Sequence, residues 1–116
     1  MQKNIYGKRS EIIAQNYLKK QGYKIIDTNY STKLGEIDII AKDKNGYIVF
    51  IEVKSRMSKK LGDPFEAINA VKQQKIKNVA TMYLKSHNML DVNCRFDAIA
   101  ILGENDDEIR HIIDAF

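Results

Sequence analysis

GEIDII (residues 35–40) and IVFIEVK (residues 48–54) lie on either side of the turn KNG (residues 44–46), and each run is typical of a β-strand. Each places a carboxylate, Asp38 or Glu52, among large apolar residues. Aspartate and glutamate are almost never fully buried without a partner, because removing an unpaired charge from water is very costly. The pattern therefore predicts a compensating positive charge beside these two residues, and a bound metal ion is the leading candidate.

The turn between the two strands determines which side chains face each other. A two-residue turn would put Asp38 and Glu52 on opposite faces of the sheet, whereas a three-residue loop with a left-handed Gly46 pairs them directly. The same longer loop pairs Glu36 with Lys54. We favour it because it leaves one face of the hairpin entirely apolar. That face carries Ile37, Ile39, Ala41, Val49, Ile51 and Val53. Like charges placed opposite each other destabilise a sheet unless a cation lies between them, which again favours a metal site.

The composition favours one compact domain. The chain has 116 residues, of which 44% are hydrophobic, with a single proline and no internal repeat. This is enough for one hydrophobic core, so we expect residues 1–116 to form a single domain. No apolar run is long enough to cross a membrane and no signal-peptide pattern is present, so we expect no membrane partner. The lone Cys94 offers no disulfide framework, which indicates a reducing cytoplasm.

The charge is divided unevenly along the chain. Residues 1–85 carry 17 Lys and Arg against 8 Asp and Glu, whereas residues 86–116 carry 2 against 7. A basic lobe of this kind attracts polyanions, and nucleic acid is the usual target. A solvated surface rich in lysine explains the same excess and remains the alternative.

The segment before the hairpin predicts a helix and a strand. Residues 7–21 have helical spacing, with Ile13 and Tyr17 in line on one face. Glu11 borders that buried stripe rather than pointing to water. A first strand is expected over residues 23–30.

The segment after the hairpin predicts a second helix and one or two strands. DPFE (residues 63–66) is a strong helix start, with an N-cap acid, a proline at the first position and a glutamate at the third. The helix is expected to run to about Lys85. Its inward stripe should hold Ile68, Val71, Ile76, Val79, Ala80 and Tyr83. Strands are expected over residues 96–102 and, as a short final element, 109–113.

The predicted order is α-β-β-β-α-β with a short final strand, which is an α/β domain with a mixed sheet flanked by helices. The stretches with a family likeness are Gly7 with Glu11, Ala14 and Tyr17-Leu18; Gly22-Tyr23; residues 35–40 and 50–56; Gly62; Lys72; residues 95–97; and residues 114–116. On these residues the chain resembles the PD-(D/E)XK nuclease superfamily, which has the restriction-endonuclease-like fold. In layout it is similar to archaeal Holliday-junction resolvases, and more specifically it resembles the YraN-like family of small bacterial proteins. The proline that precedes the aspartate in the superfamily is Ile37 here.

The resemblance implies a metal-dependent nuclease site. It implies that Asp38, Glu52 and the backbone carbonyl of Val53 bind Mg²⁺ or Mn²⁺, hard cations that prefer oxygen ligands. It also implies that Glu11 reaches the same ion from the first helix. Lys54 would orient the attacking water or stabilise the charge that develops on the phosphate.

Further residues complete the expected site. Glu36 is expected to pair with Lys54 and hold it in position, so we count it with the catalytic group. The expected contacts with nucleic acid are Arg56, Lys59, Lys60, Lys72 and Lys75.

The acidic and basic residues also have structural interpretations. Glu52 and Lys54 would form a cross-strand ladder of ion pairs with Glu36 if no metal binds. Glu11 would then only complement the dipole of the first helical turn, and Lys72 would be an ordinary solvated lysine.

The C-terminal part offers no competing metal site. Arg95 and Asp97 lie on the same face of their strand, and we interpret them as a structural ion pair. His87 and His111 show no ligand spacing with each other or with Cys94, so no zinc site is expected.

Two functions of different classes are consistent with this sequence. The first is a metal-dependent endonuclease that hydrolyses phosphodiester bonds of DNA, with branched or otherwise structured DNA as the expected substrate. The second is a non-catalytic nucleic-acid-binding module of the same fold. The facing carboxylates favour the enzyme, because a binding module has no need of them. An adaptor with an acidic docking tail is a third candidate, and the likeness to resolvases suggests a homodimer.

Overall fold

The computed structural model describes residues 3–56, 63–103 and 108–116, with side chains from residue 9 onward. The described elements are, in chain order, α1 (Lys3–Lys20), β1 (Lys24–Thr32), β2 (Gly35–Lys42), β3 (Ile48–Arg56), a short 3-10 helix (Pro64–Ala67), α2 (Ala70–Ser86), β4 (Cys94–Leu102) and β5 (Glu108–Ile112). None of the helices in these ranges is both long and apolar enough to span a membrane.

The five strands form one mixed sheet in the order β1-β2-β3-β4-β5. Neighbouring strands are antiparallel except β3 and β4, which are parallel because the chain crosses from one to the other through α2. The predicted fold class, a mixed α/β sheet flanked by helices, is confirmed, and the short final strand is present as β5.

A separate apolar cluster lies on each face of the sheet. On one face Ala14 and Leu18 of α1 cover residues of β2, β3 and β4. On the other face α2 covers the sheet through Ile76, Val79, Ala80, Tyr83 and Leu84. Both faces of the central strands are therefore buried, as expected for strands that carry helices on both sides.

The hairpin between β2 and β3 has the predicted three-residue loop. Asp43 and Tyr47 close the loop through an N–H to O=C bond of 3.0 Å, and Gly46 adopts φ +89°. The paired residues are Ile39 with Ile51, Ile40 with Phe50, Ala41 with Val49 and Lys42 with Ile48. This register is the predicted one, and its continuation sets Asp38 level with Glu52.

The predicted second helix is interrupted near its start. Asp63 does cap a helix, since its side chain accepts from the N–H of Phe65 at 2.9 Å, but that helix is the short 3-10 segment. A new N-cap, Asn69, accepts from the N–H of Lys72 and begins α2. The prediction of one continuous helix from Asp63 was therefore wrong, and so was the inward position of Val71, which is 66% exposed.

Arg95 and Asp97 form the predicted structural pair, at the centre of a larger polar network. Arg95 donates to both oxygens of Asp97, at 2.8 and 2.9 Å. It also donates to Asp43 of the hairpin loop and to the hydroxyl of Tyr23. Asp97 is completely buried and accepts from the backbone N–H of Asp114 as well.

His111 extends this network to the first helix. Its Nε2 lies 2.7 Å from Asp97 Oδ2, and its Nδ1 lies 3.1 Å from the hydroxyl of Tyr17. The partners lower the pKa of Asp97 against the opposing effect of burial. The network thus joins α1, the hairpin loop, β4 and β5 through one buried carboxylate.

We expect Asp97→Asn to destabilise the protein by about 3–5 kcal/mol, because it removes the buried charge that Arg95 and His111 share. The measurement is urea unfolding at pH 7. Asp91→Asn is the matched control, since Asp91 is exposed, and it should change the free energy of unfolding by less than about 0.5 kcal/mol. Equal stabilities for the two variants would show that the network contributes nothing.

Candidate functional site

A cleft of about 720 Å³ opens between α1 and α2, where β2 and β3 run beyond their last paired residues. Most of the predicted site residues line it. They are Glu11, Glu36, Asp38, Glu52, Val53, Lys54, Lys72 and Lys75. The structure therefore brings together in one place residues from both helices and both strands of the hairpin.

At Asp38 the alternation of β2 side chains between the two faces of the sheet shifts by one residue, and we call this a change of phase. It lies at the cleft. In a regular strand residues two apart share a face, so Ile37 should lie with Ile39. Ile37 instead belongs to the cluster under α2, together with Ile40, whereas Ile39 belongs to the cluster under α1. The prediction that Ile37 lies on the same apolar face as Ile39 was therefore wrong.

The neighbouring strand changes phase at the same level. The residues of β1 and β2 pair as Thr28 with Ile39 and Tyr30 with Ile37, so the register is continuous, but Asn29 and Asp38 between them are unpaired. Asn29 adopts φ +52°, in the left-handed region. A non-glycine residue there is uncommon, and asparagine tolerates it best.

Asp38 takes the place of a backbone partner for β3. Its Oδ2 accepts a hydrogen bond of 2.8 Å from the N–H of Val53, beyond the last paired residues of the two strands. Because the N–H and C=O of one residue point to the same side of a strand, the Val53 carbonyl also faces β2. Asp38 and this carbonyl therefore lie on the same edge of the cleft, as the metal-site prediction requires.

Glu52 lies at the floor of the cleft and is only 4% exposed. Burial, followed by the negative charge of Asp38, raises its pKa to about 8, although Lys72 and Lys54 act in the opposite direction. The pKa of Asp38 is also raised, chiefly by burial. The two carboxylates are therefore incompletely compensated by the protein's own charges.

Two lysines approach these carboxylates from different elements. Lys72 of α2 places its Nζ 3.7 Å from Glu52 Oε2. The pKa of Lys54 lies below its ordinary value, because burial and the proximity of Lys72 outweigh the opposite effect of Glu52 and Asp38. Lys72 is therefore a cleft residue and not merely a solvated helix lysine.

Glu11 reaches the same cleft from α1. It lies in the third turn of a helix that begins at Lys3, so it is too far from the N-terminus to complement the dipole there. The pKa of Glu11 lies above its ordinary value, because burial and the charge of Asp38 outweigh the opposite effect of Asn29. Its Oε1 is buried and has no hydrogen-bond partner within the described ranges.

The predicted ion pair between Glu36 and Lys54 is not part of the site. Glu36 is exposed, and its charge acts on Glu11 and Asp38; among the described ion pairs none joins it to Lys54. The predicted Glu36–Lys54 pair is therefore not formed. It fails because the phase change at Asp38 turns the end of β2 away from β3.

The predicted nucleic-acid contacts are only partly near the cleft. Lys72 and Lys75 line it, but Arg56 does not and instead donates to the carbonyl of Ser55 at 3.1 Å. Lys59 and Lys60 lie outside the described residues.

The donors in the cleft fit a hard divalent cation. Two carboxylates, a carbonyl and an unpaired carboxylate oxygen are the oxygen ligands that Mg²⁺ and Mn²⁺ take. Within residues 3–56, 63–103 and 108–116 no three His, Cys, Asp or Glu side chains form a ready-made metal cluster. This arrangement suits Mg²⁺, which is commonly held by one or two carboxylates and keeps waters or substrate phosphate as its other ligands.

Sequence analysis missed several residues of the cleft. The left-handed Asn29 of β1, which does not itself line the cleft, was missed as well, and its signal was weak: an asparagine in an otherwise ordinary strand pattern. Ser10 is 5% exposed and lines the cleft next to Glu11. Asn69 lines it as the N-cap of α2, and Val71 follows at its rim.

The geometry defines a class of protein: an α/β domain with an acidic, lysine-flanked cleft at the open end of a hairpin. The sequence matches the family model described as "Uncharacterised protein family UPF0102" over residues 10–101, and the chain belongs to that family. This is the YraN-like family that the residue pattern indicates.

Relatives of similar length support the assignment. A UPF0102 protein of Lachnoclostridium phytofermentans is 46% identical over 117 residues, covering 100% of this chain and 96% of the relative. One of Thermodesulfovibrio yellowstonii is 50% identical over 110 residues, covering 95% and 94%. Among solved structures, a repair endonuclease from Pyrococcus abyssi is similar at 21% identity and a TM-score of 0.48, covering 82% of this chain and 37% of the endonuclease. That likeness is too distant to assign a fold or a function.

The raised pKa of Glu52 predicts a pH-dependent stability. A carboxyl whose pKa rises from 4.5 to about 8 on folding stabilises the folded state fully below pH 4.5, and this contribution is lost as the pH rises through 8. At about 1.4 kcal/mol per pKa unit the loss is at most several kcal/mol. Metal-free protein should therefore lose stability between pH 5 and 9, and Glu52→Gln should remove that part of the loss.

Urea unfolding in EDTA across this pH range is the measurement. Glu66→Gln is the matched control, because Glu66 is exposed, and it should keep the wild-type profile. Parallel profiles for wild type and Glu52→Gln would contradict the raised pKa.

Proposed function

We propose that this protein is a Mg²⁺- or Mn²⁺-dependent endonuclease that hydrolyses DNA phosphodiester bonds. The observation that carries the proposal is the meeting of Asp38 and Glu52 in one cleft, with Lys54 and Lys72 beside them. A buried carboxylate with a pKa raised to about 8 is typical of a functional site rather than a structural ion pair. The predicted ladder of ion pairs is disfavoured, because Glu36 does not take part in it.

The carboxylates would hold the ion. Asp38 is fixed by the N–H of Val53, which orients its carboxylate toward β3. Glu52, the Val53 carbonyl and Glu11 Oε1 supply further oxygens around the same space. When bound, the ion would polarise the phosphodiester and lower the pKa of a water.

The two lysines would act on the phosphate. Lys54 follows Glu52 by two residues, so it projects from the same face of β3. Because the pKa of Lys54 is lowered, its ammonium group releases a proton more readily than that of an ordinary lysine. This suits a residue that would orient the attacking water. Lys72 approaches from α2 and would neutralise charge that develops on the phosphate oxygens.

DNA is the proposed substrate because the electrostatics of the chain match it. Residues 1–85 carry a large excess of basic residues, and two of these, Lys72 and Lys75 of α2, line the cleft. Such a surface attracts the phosphate backbone whatever the base sequence. The resemblance to the PD-(D/E)XK nucleases supports branched or structured DNA as the form cleaved.

We expect purified protein to cut radiolabelled junctions, flaps or duplexes in Mg²⁺ or Mn²⁺ and not in EDTA. Asp38→Asn and Glu52→Gln should abolish cutting, because each removes a charged oxygen ligand. Lys54→Met should slow it by about 10²–10³-fold, the usual loss on removing one group that stabilises a transition state.

Lys85→Met is the control for the lysine substitution, because Lys85 lies exposed at the far end of α2. Cutting that persists in Asp38→Asn would count against the enzyme. Salt-sensitive binding without cutting, unchanged by the carboxylate variants, would support the non-catalytic binding module instead.

We also expect Mn²⁺ to raise the melting temperature of the protein, since a ligand that binds only the folded state stabilises it by about 2.7 kcal/mol at 100 times its Kd. The shift should be larger at pH 8.5 than at pH 6, because Mn²⁺ competes with the proton on Glu52. Differential scanning calorimetry measures both. A shift that survives in Glu52→Gln would place the ion elsewhere.

A further inference from the structure

A second group of basic residues lies at the end of the sheet remote from the cleft. β2 begins at Gly35, which lines the cleft, and ends at Lys42, beside the hairpin loop. The last turn of α1 and the first residue of β1 meet the loop at this end. The five lysines found there are exposed and lie outside the cleft, and we call them the loop-end lysines: Lys19, Lys20, Lys24, Lys42 and Lys44.

The fold brings like charges together at this end. Lys24 and Lys42 are direct partners in the antiparallel ladder of β1 and β2, so their side chains project from the same face, about 5 Å apart at Cβ. Like charges in this position destabilise a sheet. Lys44 lies over Gly22, just beyond the end of α1, so closely that a side chain on Gly22 would collide with it. The hairpin loop therefore adds its charge to the two lysines in the last turn of α1.

The acids of this region do not compensate the charge. Among the ion pairs of the described residues none includes a loop-end lysine. Asp43 lies between Lys42 and Lys44 in the chain, but its Oδ2 accepts from Arg95 at 3.0 Å, and its Oδ1 accepts from two backbone N–H groups of the loop. Asp27, the acid of β1, accepts from a backbone N–H at 2.8 Å. The loop-end lysines therefore form a surface of uncompensated positive charge.

We propose that the loop-end lysines form a second binding surface for the phosphate backbone of nucleic acid, separate from the cleft. This inference rests on the proposed function for the identity of its partner. Lysine is a flexible point charge that binds phosphate without reading base sequence. A protein partner would instead need aromatic or apolar anchors to bury, whereas all five side chains here are cationic.

The distance between the two surfaces limits the DNA that can occupy both. β2 reaches from the cleft to the loop end with 8 residues, and these span about 24 Å at roughly 3.4 Å per step. One strand of a duplex advances about 3.4 Å per base pair, so this distance corresponds to about seven base pairs. The substrate class is therefore DNA with a duplex arm of at least about this length, whose backbone runs from the cleft to the loop-end lysines.

The test is DNA binding by the triple variant Lys24→Gln, Lys42→Gln and Lys44→Gln, measured by fluorescence anisotropy in EDTA with a labelled duplex of about 20 base pairs. Lys19 and Lys20 are kept, because they stabilise the C-terminal end of α1. The glutamine variant should bind roughly 10- to 100-fold more weakly at about 0.1 M salt. The slope of log K against log salt should become shallower by about 2.7, which is about 0.9 for each lost phosphate contact.

The matched control carries arginine at the same three positions. It keeps the charge and should bind the duplex as wild type does. The glutamine variant should unfold in urea at the wild-type midpoint or a higher one, because it removes a like-charge pair. An unchanged affinity and salt slope in the glutamine variant would overturn the proposal, and so would binding of wild-type protein to vesicles of anionic lipid with no binding to DNA.

Cutting assays separate failure of this inference from failure of the proposed function. The glutamine variant should keep the wild-type kcat and raise KM, because the loop-end lysines are remote from the reacting phosphate. If no form of the protein cuts DNA but the glutamine variant shows the weaker binding and the shallower slope, the nuclease proposal fails and the binding surface stands. If wild type cuts, and the glutamine variant binds and cuts equally well, the binding surface fails and the nuclease proposal stands.

Discussion

The burial of two like charges, Asp38 and Glu52, in a partly dry cleft is an electrostatic cost that the rest of the domain must be stable enough to bear. Both carboxylates are largely removed from water, and the approach of two lysines leaves the pKa of Glu52 at about 8. A protein gains nothing in stability from such an arrangement, since an apolar pair of similar volume is commonly as stable or more so. The arrangement persists because the remainder of the domain is stable without it.

That stability comes from the paired part of the sheet and from the Asp97 network. Toward the hairpin loop β2 and β3 are fully paired, and their side chains fill an apolar cluster on each face. In addition, the buried Asp97, which pairs in register with Ile51, ties α1, the loop, β4 and β5 together through its network. Both helices are thereby anchored on the sheet, which allows the open end of the hairpin to hold unpaired backbone and uncompensated charge.

The sequence predicted those features that depend on strict alternation or on one turn type. The register of the hairpin followed from the KNG loop and the apolar face, and it correctly set Asp38 level with Glu52. The errors lie where a local conformation departs from the ideal. Ile37 and Glu36 were misplaced because the alternation of side chains in β2 shifts at Asp38, next to a left-handed asparagine in β1. The periodicity of the sequence contains no signal for such a shift. The helix at Asp63 was overextended because the later cap at Asn69 competes with it.

The proposed action on a phosphodiester also depends on this departure from alternation. Had β2 kept its phase, the side chain of Asp38 would belong to one face of the sheet, and Glu11 on the other side could not share a ligand with it. The change of phase turns Asp38 toward β3, where the Val53 N–H fixes it, and so opens the space between the two helices. A binding module needs only the lysines at the rim. The proposed cation, which both acids would hold, also accounts for the distortion of two strands around them.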